Sequence, residues 1–95
     1  MNIKQLQVGD KVKWTSQSGG YQKEKRGTVY AVVPEGVNAM AKLPRSLRST
    51  QRKFDTWHSK YVRFIIAVPR GGKSVLVDYY CPNPGLLQLD EEPNG

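Results

Sequence analysis

Residues 61–81 read YVRFIIAVPRGGKSVLVDYYC, and the fold turns on whether their middle is a tight turn or a phosphate-binding loop. AVPRGGKS, residues 67–74, satisfies the loose form of a nucleotide phosphate loop, with Ala67 where glycine is usual and Gly72-Lys73-Ser74 at its end. Such a loop works only when a helix follows, because helix N-terminal amides hold the phosphates. The sequel here is VLVDYY, β-branched and alternating, which continues a strand. The stretch therefore reads as a β-hairpin, with Gly71-Gly72 supplying two positions that tolerate φ > 0. A turn centred there pairs Val68 with Val75, Ile66 with Val77 and Phe64 with Tyr79 on one apolar face. The opposite face pairs Ala67 with Leu76, Ile65 with Asp78 and Arg63 with Tyr80.

Working outward, Val8, Val12 and Trp14 alternate with Lys11 and Lys13, the period of a half-buried strand entered from a Gly9-Asp10 turn. TSQSGGYQKEKRG, residues 15–27, reads as a polar loop. TVYAVV, residues 28–33, reads as a second strand stopped by Pro34, with Val29, Ala31 and Val33 on one face. After the hairpin, PNPG turns the chain, LLQL supplies a short closing strand, and DEEPNG, residues 90–95, reads as a flexible acidic tail. The prediction is an all-β or mainly β fold, a small antiparallel barrel of about five short strands over residues 1–89.

Residues 34–60 form a long insert, and a connection of this length is expected to carry local structure. Pro44 suits the first turn of a short helix. On that helix Arg45, Arg48 and Arg52 share a basic face, Lys42 lies just before it, and Leu47 and Phe54 share an apolar one.

The stretch GDKVKWTSQSGGYQKEKRGTVYAVVPEG resembles the opening of small SH3-like or Tudor-like barrels, in which a G-D-x-V-x-W strand leads through a polar loop to a G-T-V strand. With HSKYVRFIIAVP and YYCP, it looks most like a group of short bacterial and phage proteins. Gly9, Asp10, Val12, Trp14, Gly27, Thr28, Val29, Pro34, His58, Tyr61 and Val62 carry the similarity, over residues 8–37 and 58–82. The resemblance implies an SH3-like fold. Related barrels bind RNA, DNA or peptides, so it assigns no single activity.

Charge narrows the partners. Of 15 Lys and Arg against 8 Asp and Glu, all the bases lie within residues 1–77, which carry a net +11, while residues 78–95 carry −4. A body this positive attracts nucleic acid or an acidic protein surface. Residues 42–53 hold five bases and no acid, whereas solvated faces usually mix signs. The nucleic-acid candidates are Lys23, Lys25 and Arg26 in the first loop; Lys42, Arg45, Arg48, Arg52 and Lys53 in the insert; and Arg63. Tyr21, Trp57 and Tyr80 are the aromatics placed to stack on bases. Trp14, Phe64 and Tyr79 are expected in the core.

Chemistry is sparse by comparison. One histidine, His58, with Asp55 before it, and one cysteine, Cys81, make a poor catalytic or metal-ligating set. No enzyme activity, cofactor or metal is therefore expected. A single cysteine, an N-terminus without an apolar leader and no membrane-length apolar run predict a cytoplasmic protein. The expected function is nucleic-acid binding, DNA or RNA, through phosphate contacts. The alternative is a protein-interaction module, such as a phage-encoded inhibitor gripping an acidic host protein.

Overall fold

The computed structural model describes residues 6–18, 20–54 and 57–90. Five strands form one antiparallel sheet: β1 (Lys11–Ser18), β2 (Tyr21–Val33), β3 (Arg63–Pro69), β4 (Val77–Tyr80) and β5 (Gln88–Leu89), ordered β4-β3-β2-β1-β5. The fold is mainly β, as expected, and its helical structure among the described residues is limited to 3-10 turns. The sheet ends on β4 and β5 without closing into a hydrogen-bonded barrel. Of the acidic tail, only Asp90 falls within the described residues. Its amide donates to Lys11 O at 2.9 Å, extending the β5–β1 pairing.

The bend that gives the sheet its shape lies in β2. Tyr21–Thr28 pair with β1 and Thr28–Val33 pair with β3, with a register irregularity between Val29 and Ala31. An extra residue there turns the strand and reverses its alternation. Val29 therefore faces one core, with Val32 packed against it, while Ala31 and Val33 belong to another. The single Val29/Ala31/Val33 face expected from strict alternation is thus corrected. Gly27 precedes the bend, where β3 passes so close that a Cβ would sit 2.6 Å from Ala67 O and 2.7 Å from Ile66 Cγ2.

Both faces of the sheet are covered. The first core holds Leu6, Val12, Trp14, Val29, Phe64, Ile66 and Leu87, with Tyr80 packed against it. The second holds Val33, Ala39, Ile65 and Tyr79, covered by Val37, Leu43, Leu47 and Phe54 from the insert. Residues 34–60 are therefore a lid over the sheet's second face. Their ends are tied together by Gly36 N–H donating to Ser59 O and Ala39 N–H to Trp57 O, each at 2.8 Å.

Two-sided burial also corrects the hairpin. β3 and β4 do form an antiparallel pair, but Ile66 faces Tyr80, Ala67 faces Tyr79 and Val68 faces Asp78. Arg70 N–H donates to Leu76 O at 3.0 Å and closes the ladder. Residues 71–75 thus form the loop, with Gly71 and Gly72 at φ 84° and 60°. The displacement from the expected register is odd, so it swaps the faces of β4. Tyr80 joins the first core and Tyr79 the second. A register chosen to collect all apolar residues on one face fails when both faces need them. Asp78 also comes within reach of Arg70, forming a bidentate pair at 2.6 and 3.2 Å.

Nor is there a helix starting at Pro44. A single turn closes from Leu47 N–H to Pro44 O at 3.3 Å, and 3-10 turns occupy Ala39–Lys42 and Ser49–Gln51. The segment is drawn out because it is fastened to the edge of β4. Gln51 Nε2 donates to Val77 O at 2.8 Å, and Lys53 N–H to Tyr79 O at 2.9 Å. A helix rising 1.5 Å per residue would have to give up that extended reach along the strand. The expected anchoring by Leu47 and Phe54 is observed.

Candidate nucleic-acid interface

TSQSGGYQKEKRG is not a loop. Its residues continue β1 and begin β2, pairing in register from Lys11 opposite Thr28 to Ser18 opposite Tyr21. Gly20, just before β2, has φ 85°. Residues 21–27 of β2 make no pairs with β3, so the hairpin tip projects beyond the rest of the sheet. Lys23, Lys25 and Arg26 are consequently strand residues, and strand geometry separates them. Lys25 lies opposite Trp14 and Lys23 opposite Ser16. Tyr21 shares their parity and is strongly exposed. Arg26 takes the other face, where it pairs with Glu24 at 3.2 Å and Asp90 at 3.8 Å.

On the Lys25 side an open groove of about 680 Å³ lies between the hairpin, the end of β4 and the following chain. Its wall is aromatic and apolar, with Trp14, Tyr80, Pro82 and Leu86; Gln22 and Asn83 add polar groups. Two cations line it, Lys25 from the hairpin and Lys53 from the insert, and no carboxylate does. The two basic stretches of the sequence meet here. The Tyr80 ring packs edge-on to Trp14 with centroids 5.6 Å apart, and Lys25 Nζ lies 5.0 Å from the Tyr80 centroid. This places an ammonium group on a π face.

Asp78 is an acid whose charge is coupled to both groove lysines. Its carboxyl is held below the usual carboxylate range, first by its hydrogen bonds from Arg70 against the opposing effect of burial, then by the charges of Arg70, Lys53 and Lys25. It is bidentate to Arg70, and neither lysine is in an ion pair among the described residues. Cys81, also in the groove wall, has its thiol pushed up by burial and only partly drawn back by Arg63. It is a neutral thiol, packed as a small apolar group.

The remaining candidates lie elsewhere. Arg63 is buried, 4% exposed, and its Nη2 donates to Trp57 O at 2.8 Å, which places it inside the lid's attachment. Trp57 packs edge-on to Phe54 and under the Arg52 guanidinium, 4.9 Å from its centroid. Lys42 is exposed on the first 3-10 turn. Arg45, Arg48 and Arg52 line a separate cleft. Tyr80 faces Ile66 and not Arg63, so the stacking pair expected between Tyr80 and Arg63 does not form. His58 is exposed and Asp55 lies outside the described residues. Among the described residues no cluster of three or more His, Cys, Asp or Glu could hold a metal, and no helix is long and apolar enough to cross a membrane.

Of the groove residues the sequence reading names only Lys25, Lys53 and Tyr80 as site components, and it misses the walls. Trp14 was assigned to the core alone, and Pro82 and Leu86 to a turn and a closing strand. Asn83 caps the Pro84–Leu86 turn by accepting from Gly85 N–H at 2.9 Å, and this Asn-Pro-Gly signal is what sets the groove's far wall. Comparison of the chain with models of protein families, with curated proteins and with solved structures found no match.

Proposed function

We propose that this protein is a non-enzymatic, cytoplasmic nucleic-acid-binding module built on an SH3-like barrel. Three features support the barrel reading: the meander order of the strands, the register irregularity in β2, and the return of β5 to β1 after a 3-10 turn. A bulge of this kind bends its strand, and five-stranded sheets bent in this way can form partly open barrels.

The observation that carries the functional reading is the meeting of Lys25 and Lys53 in one groove with Tyr80 and no acid. Phosphates along a strand would be neutralised by these two ammonium groups, with Lys23 extending the track toward the hairpin tip. Tyr80 and the exposed Tyr21 offer faces on which unpaired bases stack without sequence preference. Net charge of +7 raises the encounter rate with any polyanion.

Amide chemical-shift mapping with short DNA and RNA oligonucleotides tests the location. The expected perturbations cluster on Gln22, Lys25, Lys53, Tyr80 and Asn83. Perturbations confined to other surfaces would displace the groove from the account. A groove that responds to an acidic protein surface but to neither nucleic acid would transfer the same residues to the protein-interaction reading.

A further inference from the structure

The arginines of the insert do not join the groove. Arg52 and Lys53 are neighbours in an extended segment held against Tyr79 of β4, so their side chains diverge. Lys53 lines the groove, whereas Arg52 lines a second cleft of about 430 Å³ with Arg45 and Arg48. Leu43, Pro44 and Leu47 form its apolar side. Leu43 and Leu47 also pack against the second core, so this wall is fixed to the body of the protein. The cationic side is fixed as well: Gln51 donates to Val77 O, Gln51 N–H to Arg48 O and Arg52 N–H to Ser49 O.

We propose that this cleft is a second binding site, distinct from the groove, for a phosphate group. Three cations line it and no acid does. The ion pairs among the described residues involve Arg26 and Arg70 and none of these three arginines. Arg52 is half-buried against Trp57, and its Nε is buried without a hydrogen-bond acceptor. Three guanidinium groups without an ion pair among the described residues repel one another, and a group of at least two negative charges relieves that repulsion. A phosphate supplies this charge with three acceptor oxygens, matching the planar forks of arginine better than a carboxylate with its single charge and two oxygens. That chemistry is shared by a free phosphate and by a phosphate at the end of a nucleic-acid strand, whereas a phosphodiester within a strand carries one charge and two free oxygens.

The test uses the intact protein carrying 5-fluorotryptophan, whose two fluorine resonances are assigned with Trp57→Phe. Inorganic pyrophosphate is added at constant ionic strength. The Trp57 signal is expected to shift saturably while that of Trp14, in the groove, stays in place. Arg45→Ala and Arg48→Ala, both at exposed positions, are each expected to weaken the response about tenfold, the size of a lost charge-assisted hydrogen bond. Lys25→Ala leaves it unchanged, which separates this site from the groove. Parallel titrations use one oligonucleotide with a 5′-phosphate and the same strand with a 5′-hydroxyl. A Trp57 response to the first alone assigns the site to strand ends, and a response to pyrophosphate only assigns it to the free anion; an equal response to both strands would mean that singly charged phosphodiesters suffice and would overturn the requirement for a doubly charged group. A Trp57 signal that none of the three probes moves, or that moves equally in the Arg45→Ala/Arg48→Ala double variant, overturns the proposal.

Discussion

At the scale of single residues, Gly27 and Asp78 carry more of the account than their bulk suggests. Gly27 sits where β3 lies against β2, and a methyl group would press on the Ala67 carbonyl and on Ile66. Backbone cannot yield there without moving the sheet. Gly27→Ala is expected to lower stability by about 1–3 kcal/mol, read from urea unfolding, through overpacking. Asp78 is paired to Arg70 and has a folded-state pKa below its ordinary value. A depressed carboxyl stabilises the fold above the unfolded pKa of about 4 and loses that contribution as pH falls through the folded value. Wild-type stability should therefore decline on acidification below about pH 5. Asp78→Asn should flatten that limb while lowering stability at neutral pH. An acid limb equally steep in the variant would place the linkage on another group.

Among elements, the insert decides how the sheet is read. It covers a second apolar face, so Leu47→Ala and Phe54→Ala are each expected to cost about 1–3 kcal/mol, a half-buried share of a core truncation. Arg48→Ala should leave thermal unfolding unchanged, because Arg48 is exposed. Equal stability in all three variants would mean that the lid contributes nothing to the fold. The element scale also marks where the sequence was legible. β3 and β4 were visible as alternating β-branched runs, and Leu47 and Phe54 as anchors, because burial leaves a hydrophobic period. The β1–β2 hairpin tip left none. QKEKR belongs to a projecting ribbon with little to cover it, so its strand character rests on pairing with β1, not on apolar alternation. The β3–β4 register was misplaced for the complementary reason. With a core on each face, apolar residues no longer choose between them. Pro44 signalled a helix start correctly in local terms, but hydrogen bonds from Gln51 and Lys53 to β4 hold the chain extended.

The whole molecule joins two basic stretches that lie far apart in the chain. Lys25 and Lys53 become neighbours in one groove only because the hairpin projects on one side of β4 and the insert runs along its edge. Such a juxtaposition is not written in spacing or periodicity, since it depends on topology. The proposed nucleic-acid partner rests on charge and aromatic surface together, and the dependence on salt separates phosphate contact from other forms of attraction. The direct measurement is the affinity for a fluorescent single-stranded oligonucleotide, by anisotropy, across a range of potassium chloride concentrations. The plot of log K against log salt is expected to be linear and negative for the wild type. Lys25→Ala and Lys53→Ala should each lower affinity and reduce the slope by about one. Binding that is absent at low salt, or a slope left unchanged in both variants, would contradict nucleic-acid recognition by this groove.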